Sequence, residues 1–115
     1  MLRRLQKYIS ILKIELQDLE EDIKDVIQAL ERRKETQEIT PYVYLENKGL
    51  LLSEIAGVRA FLDEVAAIPA ERYQSVEEMI RDAERRVEQR TKEGAFPAVV
   101  HDLVKRRMEK ARAAL

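Results

Sequence analysis

The chain has 115 residues, of which 45% are apolar, 37% charged and 5% aromatic, with three glycines and three prolines; this length holds one core, and the profile favours long solvated helices over a β-sandwich or a disordered chain. Cysteine is absent, which excludes disulfides, thiolate zinc sites and a cysteine nucleophile. Lys and Arg number 21 against 22 Asp and Glu, a formal charge of -1 that gives no whole-chain attraction to nucleic acid or anionic lipid.

Over the first 30 residues, Leu2, Leu5, Ile9, Leu12, Leu16, Leu19, Ile23, Val26 and Leu30 follow one another three and four apart without a break. This is a coiled-coil-like heptad seam, and since neither Gly nor Pro precedes Pro41 it predicts one helix over residues 2–35. At ~1.5 Å per residue such a helix runs on the order of 50 Å, so its stability requires a partner along its length. Its charge is bipolar: residues 1–14 carry Arg3, Arg4, Lys7 and Lys13 with no acid, whereas residues 15–38 hold nine acids against Lys24, Arg32, Arg33 and Lys34. A leader peptide starting at Met1 is not expected, because Lys13 and Glu15 interrupt the apolar run and no small-residue cleavage site follows. With no uncharged stretch of spanning length, the expected location is the cytoplasm.

A second helix is predicted from Thr40 as N-cap and Pro41 at the first helical position, with Ile39 able to staple onto Tyr44. Tyr44, Leu51, Ile55, Val58, Leu62 and Val65 continue the spacing, broken only by Lys48, until Pro69. Leu45, Leu52, Phe61 and Ile68 widen the stripe, which implies more than one neighbour. Gly49, Ser53, Ala56, Gly57, Ala60 and Ala67 line another side with small residues; close packing of a second backbone or a local kink would account for two glycines inside a helix.

Ser75 and Glu78 form a capping box that opens a third helix with Val76, Met79, Ile80, Ala83 and Val87 on its core face, ended by Gly94. Pro97 begins a fourth, presenting Val100, Leu103, Val104, Met108 and Ala111. The expected fold is all-α and a single domain over residues 1–115: a long antiparallel helical hairpin (1–68) plus a shorter C-terminal hairpin (73–115), four helices in total.

A long and a short hairpin do not cover every apolar stripe, which points to a non-catalytic, self-associating bundle that mediates protein–protein contact. A parallel pairing of the first helix sets Glu15 against Glu20 of its copy, whereas an antiparallel pairing lays its basic start beside the acidic stretch. An antiparallel homodimer is therefore expected, with Leu5, Ile9, Leu12, Leu16, Leu19, Gly57 and Ala60 as the associating or partner face. Alternatively, the second helix consumes the whole seam.

Two chemical readings compete with this one. The fourth helix carries Lys105, Arg106, Arg107, Lys110 and Arg112, of which the first four are the candidate nucleic-acid contacts; Asp102 and Glu109 dilute the stripe, and aromatic interleaving and a helix-turn-helix pattern are missing. Asp18, Asp22 and Asp25 share a helix face, as do Glu78 and Asp82, the spacing by which all-α hydrolases hold magnesium, but no acid interrupts the seam to point inward. His101, with Ala98 and Pro97 three and four positions earlier, lacks the Glu-x-x-His pair of carboxylate-bridged metal bundles and reads as a partly exposed helix residue. Ile11 and Ile14 beside Lys7 and Lys13 would suit either an anionic membrane surface or packing against another helix. Ordinary solvated charge is the preferred account of both charged clusters. No phosphate-cradling motif or Ser/His/Asp set is present, so no catalytic, metal or cofactor residue is assigned.

Overall fold

A computed structural model describes residues 2–94 and 97–115; Met1, where the leader weighed above would begin, lies outside them. Four helices follow one another: α1 (Leu2–Glu35), α2 (Pro41–Ala66), α3 (Val76–Lys92) and α4 (Ala98–Ala113), with a short 3₁₀ turn at Ala70–Arg72. The fold is all-α. α1 packs most extensively along α2 as an antiparallel hairpin and next on α4, while α3 is held mainly by α4 and α1.

The turn between α1 and α2 is set by hydrogen bonds that the sequence pattern did not announce. Gln37 has φ 64°, in the left-handed region, and its N–H donates to the Lys34 carbonyl at 3.0 Å while the Glu38 N–H donates to the Arg33 carbonyl at 2.9 Å. These two bonds make a Schellman ending, with glutamine where glycine is usual. An Arg33–Glu38 ion pair at 3.2 Å stands where such a motif normally has an apolar contact. Thr40 then caps α2, its Oγ1 accepting from the Val43 N–H at 3.1 Å, with Pro41 leading the helix. α2 stops at Ala66, short of the predicted end, and Pro69 leads into the 3₁₀ turn; the residue before a proline is pushed out of helical geometry, which shortens the helix ahead of it.

At the start of α3, Ser75 Oγ accepts from the Glu78 N–H at 3.1 Å, as a capping box requires. The reciprocal bond differs from the pattern, because the Glu78 carboxylate accepts from the Gln74 N–H at 3.0 Å, one residue earlier than expected. Gly94, φ 75°, supplies the left-handed residue after α3.

The core is one apolar cluster at one end of the molecule. It joins Leu5, Tyr8, Leu12, Leu16, Leu19 and Ile23 of α1 to Ile55, Val58, Phe61 and Val65 of α2, with the predicted faces of α3 and α4. The α1 seam is corrected in one place: Tyr8 is buried, whereas Ile9 is only half-buried at its edge. The seam also ends early, since Leu2 and Val26 are exposed. Two small helices cannot flank the whole of two long ones, so the hairpin projects past them. The extents are 54 × 28 × 19 Å and the radius of gyration is 16.3 Å, against about 13 Å for a compact chain of this length.

Beyond the core the hairpin is a bare two-helix arm, residues 24–54. Its main clasp is Tyr44, buried apart from the core cluster. The Tyr44 hydroxyl donates to Glu31 at 3.2 Å, with Lys34 4.3 Å and Lys48 5.5 Å from its ring centre. Lys48, the residue that breaks the α2 stripe, thus contributes a cation–π contact.

Candidate interaction surface

The residues predicted for self-association divide into two groups. Leu5, Leu12 and Leu16 are fully buried and Leu19 is nearly so, all within the chain's own core. Gly57 is buried as well, and Ile9 and Ala60 are half-buried against the same cluster. The apolar seam that the expected antiparallel α1 pairing would use is covered within the protomer by α2 and α4, and Glu15, Asp18 and Asp22 of the acidic stretch are answered in cis.

The answering group is Arg107 of α4. Its guanidinium donates to Glu15 Oε1 at 3.1 Å, to Asp18 Oδ2 at 2.7 Å and to Asp22 Oδ2 at 2.7 Å, and Lys110 lies 3.4 Å from Glu15. Acids three and four apart stack on one helix face, so a single planar guanidinium from a crossing helix can engage all three. The hydrogen bond from Arg107 holds the Asp18 carboxyl below its usual range. This arrangement links two clusters that the sequence presented separately: Asp18 and Asp22, two of the three α1 carboxylates considered for magnesium, and Arg107 and Lys110, two of the basic residues considered for nucleic acid, lie together. Lys105 and Arg106 remain exposed on α4.

Other arginines bridge helix pairs in the same way: Arg59 of α2 with Glu20 of α1, Arg90 of α3 with Glu64 of α2, and Arg112 of α4 with Glu77 of α3 at 3.4 Å. His101 is half-buried in a shallow groove lined by Glu84, Glu88, Lys105, Val87 and Met108, with Glu88 at 3.7 Å and Asp102 at 3.4 Å. Glu78 caps α3, and Asp82 accepts from the Tyr73 hydroxyl and pairs with Arg85 and Arg86, both at 3.4 Å. Among the described residues no group of three or more His, Asp or Glu is arranged to hold a metal ion, and no helix is long and apolar enough to cross a membrane.

What stands unpartnered is the arm. Val26, Tyr42, Val43, Leu45, Leu50 and Leu52 are six of the nine large apolar side chains exposed among the described residues; the others are Leu2, Ile14 and Val99. Of the two off-seam isoleucines, Ile11 is half-buried against the core whereas Ile14 is exposed. On the arm's flank, a groove of 270 Å³ between the helices is lined by Lys24, Ile27 and Gln28 of α1 and Leu52, Ile55 and Arg59 of α2. The small-residue side of α2 is also open here: Gly49, Ser53 and Ala56 are exposed, and a Cβ built on Gly49 would meet nothing within 4 Å. The sequence signal for this surface was the width of the α2 stripe, with Leu45 and Leu52 in excess of what one neighbouring helix covers.

Comparison with protein-family models, curated proteins and solved structures returned no match to this chain.

Proposed function

We propose that this protein is a non-catalytic helical interaction module that self-associates and engages proteins through its arm. The observation that carries this reading is the asymmetry of burial along the hairpin. At the core end the apolar side chains of α1 and α2 are covered by α3 and α4, while at the arm end Leu45 is 64% and Leu52 49% exposed. Clustered apolar exposure of this kind, rimmed by charge, is characteristic of surfaces that another molecule covers. A rigid base with a projecting amphipathic arm also suits helix-face recognition, in which anchors at three- and four-residue spacing dock against another helix.

The reading is tested by light scattering of the full chain over a concentration series, at low and at high salt. Association driven by the arm's apolar residues gives a mass that rises from 13.5 kDa toward twice that value with concentration and persists in high salt, because apolar burial is not screened. A mass that stays at the monomer value throughout, with no change at high salt, overturns it.

A further inference from the structure

We infer that the partner of the arm is a second copy of this chain, bound through one self-complementary face of α2 in antiparallel register. This rests on the self-association reading and specifies its interface. Tyr42, Leu45, Gly49, Leu52, Ala56 and Arg59 succeed one another at intervals of 3, 4, 3, 4 and 3, so they share one helix face. All six are exposed.

Large and small residues alternate along that face in a way that fits its own reverse. Two copies laid antiparallel about a twofold axis midway between Leu45 and Ala56 pair positions whose numbers sum to 101. Leu45 then meets Ala56 of the partner, and Gly49 meets Leu52 of the partner. Each leucine enters the space left by a small residue, the a-against-d layering of an antiparallel coiled coil. The next layer outward sets Arg59, whose Nε pairs with Glu20 of its own protomer while its side chain stays exposed, beside the partner's Tyr42, a cation against an aromatic face. Along the exposed flank Glu46 faces Ser53 of the partner, so no like charges meet there. A parallel pairing stacks leucine on leucine and glycine on glycine, leaving gaps between crowded layers.

The face also explains why glycine stands at position 49. The protomer has no use for it, since a Cβ there meets nothing within 4 Å and glycine inside a helix is unfavourable. A partner's Leu52 needs the space. The contact covers about 26 Å of one helix from each copy at ~1.5 Å per residue, a single-helix seam at the small end of specific interfaces, so a reversible dimer is expected.

The decisive variant is Gly49→Leu, which is harmless in the protomer and overfills two symmetry-related layers of the dimer. At roughly tenfold per misfit layer, it raises the dimer dissociation constant by about two orders of magnitude, read by light scattering with helical circular dichroism unchanged. Leu50→Glu, off the face, leaves dimerisation intact. Because the chain has no cysteine, register is read by single-cysteine variants: Leu45→Cys mixed with Ala56→Cys forms an intermolecular disulfide, while Leu45→Cys alone does not. Cross-linking of Leu45→Cys to itself establishes a parallel pairing and overturns the register. A wild type that dimerises equally well as Gly49→Leu overturns this interface while leaving self-association standing; a wild type that never dimerises removes both.

Discussion

Replacing Tyr8 by Phe is expected to stabilise the protein, although it deletes a polar group from a fully packed position. Tyr8 is 1% exposed, and its hydroxyl is buried without a hydrogen-bond partner. Burial pushes the phenol's pKa well above its ordinary value, with the charge of Glu84 adding to the effect and that of Arg112 opposing it. The ring itself fills the core between α1 and its neighbours, and phenylalanine retains it. The variant therefore keeps the apolar contacts and removes the desolvation cost of an unsatisfied hydroxyl, about 1–3 kcal/mol. At roughly 4–8 °C per kcal/mol for a domain near this size, the melting temperature should rise by about 4 °C or more. Thermal and urea unfolding by circular dichroism measure this, with an unchanged urea slope showing that the end states are the same. The pH dependence supplies a second readout. Below the ordinary tyrosine pKa of about 10 the phenol is protonated in both states, so the gain is constant. Above it the unfolded phenol ionises while the buried one resists, so the wild type loses stability that Tyr8→Phe does not. A Tyr8→Phe protein that melts below wild type would show that the hydroxyl is satisfied in solution, and the reasoning would fall.

Three further perturbations probe the turn, the helix bridge and the arm. Gln37→Gly should raise stability by about 0.5–1 kcal/mol, because relief of the left-handed cost of about 1–2 kcal/mol exceeds the added entropy of glycine; chemical denaturation that shows a loss would refute it. Arg107→Met should lower stability by on the order of 1 kcal/mol, because it leaves Glu15, Asp18 and Asp22 to repel one another while solvent screens the exposed Asp18 and Asp22, and a double-mutant cycle with Asp22→Asn should show coupling. Since Arg107 lowers the Asp18 pKa, this contribution is full above the ordinary aspartate range and disappears as pH falls through the depressed value; an acid unfolding profile identical in wild type and Asp18→Asn would contradict it. Tyr44→Ala should speed amide exchange across residues 24–54 while protection in α1 around Leu12 and Leu16 persists, because Tyr44 clasps the arm from outside the core cluster; uniform loss of protection would show that arm and base unfold together.

The number and order of the helices were legible in the sequence because their signals are local. The seam of α1, the Thr40–Pro41 start, the Ser75 cap and the Gly94 stop each act within a turn or two of backbone. The faces of α3 and α4 could also be read, since a short helix with one apolar face has one way to bury it. Tyr8 was missed because a strict seam admits Leu5, Ile9 and Leu12 while α1 also meets α3 and α4, with Glu84 of α3 and Arg112 of α4 near the phenol, which widens the buried sector to include it. The Gln37 turn was missed because nothing in glutamine's chemistry announces a left-handed residue. It is imposed by two hydrogen bonds that exist only when α1 ends there.

The sequence by itself determined the helices, the N-caps of α2 and α3 and which residues are apolar, because each follows from hydrogen bonding and side-chain periodicity along one stretch of chain. The tertiary structure alone decided which apolar faces are filled and which charges are answered. Leu5 to Leu19 are spent inside the protomer, and Arg107 closes on acids some 85 to 92 residues away. The surplus lies on the arm around Leu45 and Leu52. The physical reason is length: α3 and α4 cover only as much of a long hairpin as two short helices can reach.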